Sequence, residues 1–258
     1  MAESLVMVEV RDRIGFVTLN DPGRRNALGP DLLASLGAAW AQIEQDRSVR
    51  AVVLRATGSD FCAGGDIATF DLGVGGGREY VYETIGAFRR IEHCRKPVVA
   101  SVRGRALGGG FELAMACDLV VASADARFAL PELSVGAVPA FALVRLGEIV
   151  GRSRAKQIAW SGRRVDAVEA QGLGLVCTVV DDSLDDSALD DATEQQARQL
   201  VELPRIAAET VKAAFNREIA DRALFESTTT AAMLWGTEGI AEGRRAFYEK
   251  RPPRFPDE

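Results

Sequence analysis

A single histidine, His93, occurs among the 258 residues, and that scarcity excludes several chemistries at once. A Ser-His-Asp triad would have to be built on His93, and no nucleophile motif lies near it. The four cysteines, Cys62, Cys94, Cys117 and Cys177, form no CxxC pair and show no zinc-type spacing, so no metal site is expected. Every apolar run stops short of the roughly 18 residues that a membrane-crossing helix takes, so no membrane partner is expected. Positive charge is lacking too: the net charge of −6 argues against general nucleic-acid binding, which draws on a basic patch. The opening "MAESLVMVEV" is too short and too acidic for a secretory segment, so reduced thiols in a cytoplasmic setting are expected.

What is present fits a folded globular chain, with 47% apolar and 26% charged residues. Strand patterns fall at 5–20 (a pair around a turn at Asp12–Gly15), 50–56, 97–104, 117–123 and 172–180. Helical spacing predicts helices over 29–46, where Leu32, Leu33, Leu36, Trp40 and Ile43 recur at three- and four-residue steps, and over 80–94. The strand–turn–helix pattern repeats about every fifty residues, which suggests a layered α/β core. "GVGGGR" (73–78) follows no strand and reads as a mobile loop. The acidic stretch after Val180 lacks calcium-loop spacing and reads as a solvated linker into a helix. From Pro204 onward the pattern is almost all helical. We therefore expect a core over residues 1–195 and a helical region over 196–258.

The stretch "ALGGGFELAMACD" (106–118) places three glycines ahead of an apolar helix that carries Glu112. Free backbone N–H groups at such a helix start form a ready anion site, and glycine lets a ligand oxygen approach them closely. "GSDFCAGGDI" (58–67) repeats the design after another strand. Two N–H donors from separate turns are what a developing oxyanion requires. Neither stretch spells the G-x-G-x-x-G of a dinucleotide site.

Taken together, "DFCAGGDI", "GRALGGGFELAMACDLVVAS" and "FALPELSVGAVP" closely resemble the three signature stretches of the crotonase superfamily, the enoyl-CoA hydratases and isomerases. The resemblance runs from "LNDPGRRNALG" to "AFYEKRPPRF". It implies an α/β fold: a crotonase-type spiral of β-β-α units followed by a C-terminal helical trimerisation region, assembling as a homotrimer or a dimer of trimers. It implies that the amides of Gly65 and Gly109 form an oxyanion hole for the thioester carbonyl of an acyl-CoA. Glu112 and Glu132 would then hold and activate water. Isomerases of the family commonly keep only the position of Glu132, so possession of both favours hydration or its reverse. Burial among apolar neighbours should raise both carboxyl pKa values. Substrate contacts are expected from Ala63, Asp66 and Ile67, and CoA phosphates from Arg24 and Lys250. Ala68 stands where many relatives have a lysine. No cofactor is implied, coenzyme A being part of the substrate.

The resemblance breaks at "PAFALVRL" (139–146), one residue shorter than the usual glycine-rich turn and without glycine. If that path requires positive φ, these residues could not follow it cheaply. The expectation is a narrower, more apolar pocket with altered hydratase activity. Cys62, beside the first glycine turn, reads as a packing residue.

Overall fold

The computed structural model describes residues 4–182, 187–216, 228–229, 231–233, 235 and 237–255. Alternating apolar residues build a six-stranded sheet in the order β1 (Val6–Arg11), β2 (Ile14–Leu19), β3 (Ala51–Ala56), β4 (Val98–Val102), β6 (Leu119–Ser123) and β9 (Thr178–Val180). Only the β1–β2 pair is antiparallel; its two-residue turn, Asp12 and Arg13, has positive φ at both positions. Gly15 therefore belongs to β2 rather than to the turn. Its hydrogen is turned toward α1 (Pro30–Gln45), where a methyl would lie 2.5 Å from Ile43 Cδ1.

Side chains alternate across the sheet, and both faces are covered. From β3, Val52 and Leu54 join the larger core with α1 and α2 (Gly73–Glu92). Ala51 and Val53 face the other way, with Ile14, Phe16, Val99 and Val121, onto α7 (Ala188–Val201). The expected boundary at 195 thus falls inside α7, whose Leu189, Ala197 and Val201 are buried against the sheet. Lys96 anchors the end of α1, its Nζ donating to the carbonyls of Ile43, Glu44 and Asp46.

Three expectations need correction. "GVGGGR" is not a loop but the first turns of α2. Packing explains two of its glycines: a methyl on Gly77 would overlap the indole of Trp235, and one on Gly76 would lie 2.8 Å from Leu72 Cβ, whereas one on Gly75 would meet nothing within 4 Å. The stretch 172–180 is a strand only at its half-buried end, Thr178–Val180. Before that, α6 (Ala167–Gly172) unwinds through Gly174 at positive φ, and the amides of Leu175 and Val176 both return to the Ala170 carbonyl. The strand expected over 97–104 breaks after Val102, because Gly104 (φ +60) turns the chain against the Ser59 carbonyl. The chain then enters a second, three-stranded sheet of β5 (Arg105–Leu107), β7 (Arg127–Ala129) and β8 (Val165–Asp166). Of the helical pattern expected from Pro204 onward, α8 (Arg205–Phe215) and α9 (Glu238–Glu249) are formed, and most of the stretch between them lies outside the described residues.

Candidate active site

The turn at 62–65 is held from both sides. On one side the Ala63 amide donates to the Arg25 carbonyl (3.0 Å), and the Leu28 amide to the Gly64 carbonyl (2.8 Å). On the other, the Cys62 amide donates to the Arg105 carbonyl, and the Leu107 amide to the Cys62 carbonyl. Asn26 fastens the first side by donating to the carbonyls of Thr57 and Asp60. The buried Asp60 fastens the second by accepting from the backbone and guanidinium of Arg105. Burial alone would raise the Asp60 carboxyl, but the hydrogen bonds from Arg105, with its charge, hold it below the usual range.

Each glycine of the two turns has its own steric reason. A methyl on Gly64 (φ +96) would lie 2.5 Å from the Leu107 carbonyl oxygen, and one on Gly110 would overlap the Cys62 carbonyl. The two turns therefore meet backbone to backbone, which puts the Gly65 and Gly109 amides side by side. A methyl on Gly109 would sit 3.6 Å from the Gly65 nitrogen. Among the described residues neither amide donates to a protein acceptor, and Gly109 opens α3 (Gly109–Met115), where helix amides lack internal partners. The Tyr80 hydroxyl, donating to the Leu28 carbonyl at 2.8 Å, closes the hole from α2.

Glu112 lies in the first turn of α3, and Glu132 begins the 3₁₀ helix Glu132–Val135. The buried Glu112 accepts from the amides of Phe141 (2.8 Å) and Ala142 (2.9 Å) through the same oxygen, Oε1. These amides open α4 (Ala142–Val150). Two N–H donors and the helix dipole favour the carboxylate. Burial outweighs them and pushes the Glu112 carboxyl up to about 7. Glu132 is raised as well, by burial and by the nearby Glu112. Its Oε2 is buried with no hydrogen-bond partner among the described residues, and Oε1 lies against Gly108, where a methyl would come within 2.6 Å of it. Gly108 (φ +52) thus makes room for a carboxylate against the backbone.

The "PAFALVRL" segment takes a path that needs no glycine. Phe141 has α-region angles (φ −73, ψ −43), and no residue of 139–146 has positive φ, so the missing glycines cost no strain. The Phe141 ring turns into the core, edge-on to Phe88 at 5.6 Å, and within 139–146 only Ala140 lines the cavity.

That cavity, of about 600 Å³, holds both amides and both carboxylates. Ala63, Asp66, Ile67 and Arg24 line it as well. Arg24 is already engaged, with Asp21 at 2.9 Å and Asp66 at 3.4 Å. Lys250 is not among the lining residues; it ends α9 in the left-handed region. Sequence reasoning missed several lining residues: Arg25, Tyr80, Trp235, Phe247 and Tyr248. It also missed the two amides that hold Glu112, because backbone donors carry no residue signature. Cys62 fits its expectation as a packing residue, since burial pushes its thiol up to about 12, far from a reactive thiolate.

The enoyl-CoA hydratase/isomerase family model matches residues 9–258. A probable enoyl-CoA hydratase of Rhizobium meliloti is 37% identical, over 99% of each chain. A short-chain-enoyl-CoA hydratase of Clostridium acetobutylicum is 36% identical, over 95% of each. The crystal structure of an enoyl-CoA hydratase/isomerase from Xanthobacter autotrophicus Py2 superimposes with a TM-score of 0.85 at 32% identity, covering 99% of this chain and all of that one.

Proposed function

The chain belongs to the enoyl-CoA hydratase/isomerase family, and from that premise we propose that it adds water across the double bond of a 2-enoyl-CoA, or removes it from a 3-hydroxyacyl-CoA. The observation that carries this reading is the meeting of two unpartnered amides and two raised carboxyls in one cavity. The amides of Gly65 and Gly109 hold the thioester oxygen. Charge drawn onto that oxygen makes the third carbon electrophilic, and each donor contributes about 3 kcal/mol in the transition state.

The carboxylates divide the proton work according to their surroundings. Glu112, kept toward its ionised form by two amides, takes a proton from water as the oxygen bonds to the third carbon. Glu132, whose carboxyl burial and the neighbouring Glu112 also raise, delivers its proton to the second carbon. The product gains one hydroxyl and one hydrogen; the proton left on Glu112 passes to Glu132 or to solvent. Arg24 and Arg25 at the rim meet the CoA phosphates, and Lys250 does so only if a ligand reaches beyond the lined cavity. No other cofactor is assigned. We propose further that the chain works in the cytoplasm as a trimer or dimer of trimers.

Loss of the conjugated-thioester absorbance of crotonyl-CoA tests the reading. Wild type should consume it, and Glu112→Gln or Glu132→Gln should slow it by about a hundred- to ten-thousandfold. No loss, together with double-bond migration in a 3-enoyl-CoA, would replace hydration by isomerisation through Glu132.

A further inference from the structure

We propose that the last helix, α9, is a positioning device for Glu132, acting through a glycine contact with the 3₁₀ helix that carries it; this rests on the hydratase reading. Gly243 lies against Val135, so that a methyl there would overlap the Val135 carbonyl and come within 2.6 Å of its Cα. From the opposite side, Gly136 (φ +75) lies against α9, where a methyl would stand 2.7 Å from the Gly239 carbonyl carbon and 3.0 Å from the Ile240 nitrogen. Two backbones thus meet with no side chain between them, at the end of the 3₁₀ helix that Glu132 begins. Contacts this close leave the 3₁₀ helix little freedom to drift.

The helix is itself pinned at three places. Thr237 caps its start by accepting from the Ile240 amide. Arg244 forms an ion pair with Asp71, at the end of the 3₁₀ helix Ile67–Asp71 that follows the Gly65 turn. The buried Glu242 binds the chain beyond α9, accepting from the Arg251 guanidinium (2.6 and 3.1 Å) and from the Arg254 amide (2.7 Å). One helix therefore touches both the segment leaving the oxyanion turn and the segment bearing the second acid. Among the described residues Glu132 has no hydrogen bond on Oε2 to fix its direction, so its aim depends on where its backbone is held.

Gly239 and Gly243 provide a matched pair for the test. A methyl on Gly239 meets nothing nearer than Thr237 Oγ1 at 3.5 Å, whereas one on Gly243 collides. Both substitutions gain the same intrinsic helix propensity. Gly243→Ala should lower kcat with crotonyl-CoA by about a hundredfold, the usual cost of a misplaced catalytic group, with KM within twofold. Gly239→Ala should behave as wild type. Amide hydrogen exchange across residues 131–137 should quicken only in Gly243→Ala. If Gly243→Ala does not fold, Ile240→Ala loosens the same contact without adding atoms and should show the same split in smaller measure.

Equal kcat in the two glycine variants would overturn the proposal, as would faster exchange with kcat unchanged. Wild-type enzyme that turns over no enoyl-CoA would instead sink the hydratase reading. The exchange comparison would then still decide the contact, with no difference between the variants overturning it.

Discussion

At Glu112 two opposed influences act on one carboxyl: a pair of amides that favour its charge and a buried setting that opposes it. The second wins, and the sign has a consequence for stability. An acid near pKa 4.3 when unfolded and about 7 when folded binds its proton more tightly in the folded chain. Its contribution is full below pH 4 and is lost as pH rises through 7. Glu112→Gln keeps an oxygen for both amides yet never ionises. Its melting temperature should therefore exceed wild type's at pH 8, with the gap closing at pH 5; an equal gap at both values would refute the burial argument. Gly109→Ala places its methyl beside the Gly65 nitrogen and should lower kcat by about a hundred- to a thousandfold, the cost of losing an oxyanion donor. The glycines, both acids and the rim residues Arg24, Ala63, Asp66 and Ile67 were legible in the sequence, because "CAGGD" and "ALGGGFE" put unusual residues in a recognisable order. The amides of Phe141 and Ala142 were not, since any residue but proline brings that donor.

Among the elements, α1 was legible because its apolar residues keep the helical period without interruption. The start of α2 was not. Glycine's poor helix propensity argues against a helix there, and it takes the distant Trp235 to explain why Gly77 is needed. Gly77→Ala should push the indole off α2, lower stability by about 1–3 kcal/mol through overpacking, and red-shift tryptophan emission. Unchanged emission and melting would show that the indole does not rest on that residue. β5 and β7 escaped notice for a related reason: three residues each are too few to display a period, and their pairing is set by the turn at Gly104.

At the scale of the whole molecule, α8 turns apolar residues to the outside, with Ile206 79% and Phe215 86% exposed. Under the proposed assembly these are the residues another subunit would cover. Ile206→Asp with Phe215→Asp should lower the sedimenting mass from that of a trimer to a monomer, and an unchanged mass would move the interface elsewhere. The layered sheet was legible from the spacing of strands and helices, whereas the covering of its second face by α7 was not, because that face is closed by residues far along the chain from the strands they meet. The turn at 62–65, laced to the chain on both flanks, carries one more implication. Its donors stand aimed before any ligand arrives, so the entropy of ordering them is met once, during folding, and not again at every turnover. An enzyme built this way should bind a thioester with its backbone there unmoved, and should lose catalytic power on warming only when the fold itself gives way.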